Sequence, residues 1–337
     1  MDQPADSDPP WWHCERPSRQ KPGIYDPVVA LDRPSHNSTV RSGPHRPAPG
    51  PGRVLHASPD TVGWRNLEFA VVDVVPGAPH RGVSPDRETA IVTLQGAGTI
   101  TGGGVTAEVS RTSVFEEVCS VVYLPPGAEY AIECEPSANG TGKLQVAIGS
   151  APAEGLLPAR CIEPWEMRTE IRGGGQSHRQ VVHTLSHPLP AERLIVYEVY
   201  VPRGTWAGWP PHRHDGVDGS PYLEETYYFR LDRPEGYVLH RNFCDGAGPD
   251  EHGLDDHFDE VAVAHDGDLV CVPMGYHTTV VSPGSNMYFL NFLAGDLLMD
   301  KRVTPPCFHA DHTWITDDWE AGAWGLPVVH LPTAEGR

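Results

Sequence analysis

Four side chains invite a chemical reading first. In "WPPHRHDGVDGSPYLEETYYFRL" (Trp209 to Leu231), His212 and His214 stand one residue apart ahead of a Gly-rich loop, and Glu224 and Glu225 open the aromatic run that follows. Residues i and i+2 of a strand face the same way, so both imidazoles can point into one interior. A later stretch runs from Gly267 through Pro273 and Gly275 to a third imidazole, His277. Three imidazoles and one carboxylate converging inside a barrel suit Zn, Mn, Fe or Ni, with open positions left for a substrate. A lone H-x-H is most often surface histidine. Joined to a strand-start Glu and a downstream P-x-G-x-His, it predicts one divalent metal ion, Zn, Mn or Fe, on His212, His214, Glu225 and His277. Glu224 is the rival carboxylate, although strand alternation would turn it away from the others.

The elements that must position these groups read as strands. "NLEFAVVDVVPG", "ETAIVTLQGAG", "CSVVYLPPGAEYAIECEP", "ERLIVYEVYVPRG", "GDLVCVPMGYHTTVVSPG" and "NMYFLNFLAG" are short runs rich in Val, Ile, Tyr and Phe, bounded by Gly and Pro. Long helical periodicity is absent, and the best helix candidate is short, near Asp317 to Ala321. The chain also repeats itself. "VVYLPPGAEY" from Val121 superimposes on "LVCVPMGYHT" from Leu269, placing Glu129 where His277 stands, and "ETAIVTLQG" from Glu88 parallels "ETYYFRL" from Glu225. Two matches in the same order predict a duplicated β-barrel, with Glu88 as the counterpart of Glu225. The predicted halves are 54–153, which lacks the ligand set and is read as metal-free, and 157–337, which carries it. Residues 1–52 read as a Pro-rich disordered tail with too little apolar surface to offset its ordering entropy.

Totals narrow the function classes. The 337 residues carry 45 acidic against 25 basic side chains, a formal net charge of −20. Such a chain repels phosphate backbones and anionic membranes, so neither nucleic acid nor membrane is an expected partner. Seven scattered cysteines form no C-x-x-C, which argues against a zinc ribbon or a disulfide framework. With no apolar leader and no bilayer-length apolar run, the expected location is the cytoplasm. A homo-oligomer is a possible assembly.

The H-x-H, the Glu and the P-x-G-x-His together resemble the cupin signature, although His277 comes one residue sooner after its glycine than in the commonest spacing. The fold class is therefore expected to be all-β: two cupin (double-stranded β-helix, jelly-roll) barrels, a bicupin. The second half also resembles one family, the 5-deoxy-glucuronate isomerases of inositol catabolism. The resemblance is carried by "LPARCIEPWEMRTEIRGGGQSHRQV" (Leu157 to Val181), "WPPHRHD", "YLEETYYFRL", "VPMGYH", "YFLNFLAG" and "FHADHTWI", with "DTVGWRNLEFAV" and "SVVYLPPGAEY" in the first half. It covers about Val54 to Ile315 and implies an enzyme, an aldose–ketose isomerase. The reaction would take 5-deoxy-glucuronate to 5-dehydro-2-deoxy-gluconate, the metal acting as a Lewis acid that stabilises an enediolate. Glu224 and Tyr227 are the candidates for moving the proton. Arg172 and Arg179 are the candidates for holding the substrate carboxylate, because the guanidinium fork matches it. The competing readings are an iron-dependent cupin dioxygenase and a non-enzymatic sugar-acid-binding bicupin.

Overall fold

The computed structural model describes residues 44–322, apart from 49, 137–141, 218, 250–254, 273 and 321, and the side chains of 246–257. Residues 1–43, with Trp11 and Trp12, lie outside the described residues. Every strand pair in it is antiparallel. The first sheet runs, in hydrogen-bonded order, Gly52–Ala57, Glu68–Val74, Leu144–Pro152, Arg87–Gly102, Val121–Leu124 and Arg160–Ile162. Val105–Arg111, His80–Val83 and Glu129–Cys134 complete it on the other side.

One strand makes the closure possible. Arg87–Gly102 pairs with Leu144–Pro152 and Val121–Leu124 along its first part, and with Val105–Arg111 and Glu129–Cys134 along its second. Its register slips between Thr93 and Gln95, and Gly96 follows at φ 100°. A Cβ at Gly96 would lie 2.1 Å from the Lys143 carbonyl oxygen, so the bend that carries this strand from one wall to the other requires glycine there.

The second half repeats the plan. A six-stranded sheet runs Arg168–Arg172, Arg179–Leu185, Ile195–Val201, Met287–Gly295, Leu223–Leu231 and Leu269–Val272. A five-stranded sheet runs Asp255–Ala264, Val238–Pro249, Tyr276–Val281, Trp206–Arg213 and Cys307–Phe308. A short helix, Ile315–Glu320, follows.

The apolar residues sort into three layers. Ile91, Ile100, Val109, Ile132 and Val146 fill the first barrel. Val199, Tyr227, Phe229, Val281 and Phe289 fill the second. Between them the two large sheets meet back to back through Phe69, Tyr228 and Phe292, with Phe69 and Phe292 ring centroids 5.5 Å apart. Central strands are therefore buried on both faces: Leu223–Leu231 is buried at every position except the half-buried Arg230, its glutamates included.

Two expectations about the halves need correction. His45 exchanges both backbone hydrogen bonds with Leu269, at 2.8 and 2.9 Å, so the segment read as tail up to residue 52 contributes a bridge to the second barrel's sheet. Reciprocally, Arg160–Ile162, which the sequence assigned to the second half, pairs with Val121, Val122 and Tyr123 of the first. Each barrel lends the segment ahead of its own first strand to the other. A buried ion pair adds to the junction: Arg111 and Glu198 meet at 2.6 Å, both side chains 0% exposed, with Arg111 also donating to the Thr93 carbonyl.

Candidate metal centre

His212 lies near the end of strand Trp206–Arg213, and His214 stands just beyond it. Glu225 is the third residue of Leu223–Leu231, and His277 the second of Tyr276–Val281. The sheets bring them together by register, since His212 pairs directly with His277 and Glu225 pairs with Val272. One ligand atom from each of the four lies within 4.8 Å of the others. The His214 Nε2 is 2.8 Å from the Glu225 Oε2, and the His277 Nε2 is 3.1 Å from the same oxygen. The His212 and His277 ring centroids are 4.3 Å apart.

Three further observations fit these residues to a divalent cation. His214 Nδ1 is 2.8 Å from the Leu223 carbonyl, so that nitrogen carries the proton and Nε2 is left to donate its lone pair inward. Buried ring nitrogens of His212 and His277 have no hydrogen-bond partner among the described residues, a costly arrangement in an interior unless something else binds them. Electrostatics agree at three of the four residues; at His214 burial alone would lower the imidazole, but the hydrogen bond to Glu225 and the charge of that carboxylate raise it above its ordinary value. Burial and the neighbouring His277 and His214 rings push His212 well below its ordinary range, and burial also lowers His277 despite Glu225 beside it. Burial alone would raise the Glu225 carboxyl, but His214 and His277 outweigh it and hold it well below the usual carboxylate range. Neutral imidazoles and an ionised carboxylate are the forms that ligate a cation. Donor atoms opposite one another across an ion stand about 4.2 Å apart at bond lengths of about 2.1 Å, so only small adjustments separate this cluster from a closed coordination sphere.

The motif had a supporting residue that sequence reasoning passed over. Asp215, next to His214, takes both fork hydrogen bonds of Arg213, at 2.9 and 2.8 Å, and accepts the Gly275 N–H at 2.7 Å. Gly275 sits at φ 79°, two residues before His277, and Pro273 of the same turn lies outside the described residues. One carboxylate thus fixes the H-x-H segment against the turn that aims His277. The adjacency in "HRHD" was the available sequence sign.

The other candidates separate. Glu224 is not brought to the cluster. Its carboxylate faces the opposite side of the sheet, where it accepts the backbone N–H groups of Arg65, Asn66 and Leu67 at 2.7, 2.9 and 2.7 Å and the Tyr222 hydroxyl at 2.8 Å. Three backbone N–H groups of the first half and one tyrosine hydroxyl of its own half take up its accepting capacity, which removes it as a proton carrier. Tyr227, two residues beyond Glu225, does face inward, its ring centroid 5.8 Å from that of His277. Arg172 is hydrogen-bonded to Glu170. Arg179 donates to the Ser177 carbonyl at 3.1 Å, and its charge is felt by both His212 and Tyr227. Burial and the neighbouring Arg172 push Arg179 down to about 10, which leaves it charged near neutrality.

The register also corrects the internal repeat by one residue. Thr89 pairs with Leu124 and Glu225 with Val272, and those partners immediately precede the two equivalent turns. Glu225 therefore matches Thr89, and Glu88 matches Glu224. Their bonding says the same: Glu88 accepts the backbone N–H groups of Glu192, Arg193 and Leu194, together with the Tyr123 hydroxyl.

Comparison with known proteins completes the description. A family model described as the KduI/IolB family matches residues 44–315. The 5-deoxy-glucuronate isomerase of Geobacillus kaustophilus (strain HTA426) is 35% identical over 271 residues, 79% of this chain and 91% of that protein. Its counterpart in Geobacillus thermodenitrificans (strain NG80-2) is 33% identical over 79% of this chain and 92% of its own length. The crystal structure of an IolB-like protein from Salmonella typhimurium LT2 matches with a TM-score of 0.72 at 33% identity, covering 81% of this chain and 99% of that one. The oxalate decarboxylase of Lactobacillus farciminis matches with a TM-score of 0.52 at 10% identity over 83% of this chain and 89% of its own, a likeness of fold.

Proposed function

The chain belongs to the KduI/IolB family, and from that premise we propose that it is an aldose–ketose isomerase converting 5-deoxy-glucuronate to 5-dehydro-2-deoxy-gluconate in inositol catabolism. The observation that carries this reading is the convergence of His212, His214, Glu225 and His277 inside the second barrel, in a chain whose curated relatives are 5-deoxy-glucuronate isomerases over most of their length.

His212, His214, Glu225 and His277 would hold one divalent cation, with zinc, manganese and iron the metals their chemistry suits. Bound there, the cation would supply Lewis acidity to the substrate carbonyl, acidifying the C–H of the adjacent hydroxyl-bearing carbon. The protein's own residues do the rest. The Leu223 carbonyl holds His214 in the tautomer that points Nε2 inward. Tyr227 lies on the inward face beside the cluster; burial and the Glu225 charge push its phenol well up and keep it protonated, so it would serve as a proton donor to a substrate oxygen rather than as the base that takes the C–H proton. Arg179 clamps the substrate carboxylate. Among the described residues its one hydrogen bond, to Ser177, leaves most of its fork available, whereas Arg172 is hydrogen-bonded to Glu170.

The deciding experiment is anaerobic incubation of metal-reconstituted protein with 5-deoxy-glucuronate, followed by NMR. The keto acid should form without oxygen, and zinc or manganese should support turnover as well as iron. Strict dependence on ferrous iron and O₂, with oxygen atoms entering the product, would assign the chain to the dioxygenases instead.

A further inference from the structure

His240 is a fourth imidazole in the same barrel, outside the ligand set. It sits on strand Val238–Pro249, paired with Thr279, and is 2% exposed. Its ring meets that of Tyr227 edge-on at 4.9 Å and lies within 12° of parallel to that of His277, with centroids 6.1 Å apart. Neither ring nitrogen has a hydrogen-bond partner among the described residues. The nearest cross-strand hydroxyl, Thr279, is hydrogen-bonded to the Leu239 carbonyl at 3.3 Å. An apolar side chain would fill this position with no desolvation cost, so two buried, unsatisfied nitrogens call for a polar partner that arrives from elsewhere.

We propose that His240 binds a hydroxyl group of the substrate, on a carbon between the carbonyl end and the carboxylate end, and so contributes to specificity for a polyhydroxy acid. The proposal rests on the isomerase reading. Chelation engages the carbonyl and its neighbouring hydroxyl at the four-residue cluster, and Arg179 takes the carboxylate, which leaves the interior hydroxyls to be recognised. Tyr227 links the two ends: its ring contacts His240, and its hydroxyl feels the Arg179 charge. A neutral imidazole offers one N–H donor and one acceptor, the complement of a hydroxyl.

The test compares wild type with His240→Phe, which keeps a flat ring and removes both nitrogens. Substrates are 5-deoxy-glucuronate and its analogues lacking one interior hydroxyl; kcat/KM, bound metal and Tm are measured. Wild type should prefer the full substrate over one analogue by ~10²-fold or more, since a site built to bind a hydroxyl leaves polar groups unpaired when it is missing. His240→Phe should lose that preference while keeping one metal per chain and a Tm at least as high as wild type. A kcat/KM within threefold of wild type on every substrate would mean that His240 holds only water, and would overturn the proposal. So would equal losses on all substrates together with loss of metal. Should His240→Phe fail to fold, the wild-type comparison still decides, because equal use of all the analogues excludes a hydroxyl-reading residue. Absence of any wild-type turnover would instead strike the isomerase reading.

Discussion

The two barrels share a scaffold and differ in what fills it. In the second, the inward positions next to the H-x-H and the turn are His212, Glu225 and His277. In the first, the same register places Val83, Thr89 and Glu129: Val83 pairs with Glu129 as His212 pairs with His277. Val83 is 51% exposed and the Thr89 hydroxyl donates to Ser84. Even the turn glycines correspond, at φ 77° for Gly127 and 79° for Gly275, but the Gly127 N–H goes to a backbone carbonyl, Ser84, where the Gly275 N–H goes to the Asp215 carboxylate. The scaffold positions that are alike are those facing the junction. Glu88 and Glu224 each accept three successive backbone N–H groups and a tyrosine hydroxyl from within 3 Å. The clasp between the barrels is common to both halves, whereas among the described residues the cluster of three histidines and a glutamate lies in one of them.

The sharpest way to break this contrast is to remove a ligand. His214→Ala should abolish metal retention and lower turnover by about three orders of magnitude or more, because the remaining ligands lose both the ion and their mutual orientation. Metal analysis and kinetics on the same preparation check it. Glu129→Ala, at the position equivalent to His277, should leave metal content and turnover unchanged.

The clasp predicts symmetry instead. Glu88→Gln and Glu224→Gln should each lower stability, by roughly 2–4 kcal/mol, because an amide presents an N–H₂ group to backbone donors that are buried and lose an acceptor. Denaturant unfolding should give similar values for the two, and a strongly unequal pair would show that the halves are not equivalent supports. Smaller still is the effect expected at the carboxylate clamp: Arg179→Ala should raise KM by about 10–100-fold with kcat little changed, as for a contact made equally in ground and transition states.

A pH effect separates a group of the second barrel from any role in binding metal. Burial alone would raise the Glu170 carboxyl, but hydrogen bonding to His183 and the charge of Arg172 hold it well below its ordinary value of 4.5. Its stabilising contribution is therefore full above pH 4.5 and disappears as pH falls through the lowered value. Glu170→Gln should cost about 1–2 kcal/mol at neutral pH, and the stability curves of variant and wild type should converge in acid. The smallest expected difference concerns the N-terminus. Deletion of residues 1–43 should leave the thermal midpoint unchanged, whereas deletion through Gly52 also removes the His45–Leu269 bridge and should lower it by a few degrees.

The sequence by itself picked out the four residues that cluster, His212, His214, Glu225 and His277, and the side of the strand they occupy. Alternation in an extended chain has a period of two, so His212 and His214 share a face and Glu224 and Glu225 cannot, whatever the rest of the molecule does. The P-x-G turn and its histidine were legible for the same reason, being local. What Glu224 does instead was not legible. Its partners lie about 158 residues away in the chain, and no local pattern encodes which distant backbone a carboxylate will meet. The same limit explains the repeat set one residue out of register, the exchanged segments at His45 and Arg160–Ile162, the preference for Arg179 over Arg172, and the overlooked His240. Strands buried on both faces lose the hydrophobic alternation that would have marked their inward positions. Only the packing of two sheets back to back, with a barrel interior on either outer side, decided which of those side chains face the metal site and which join the halves.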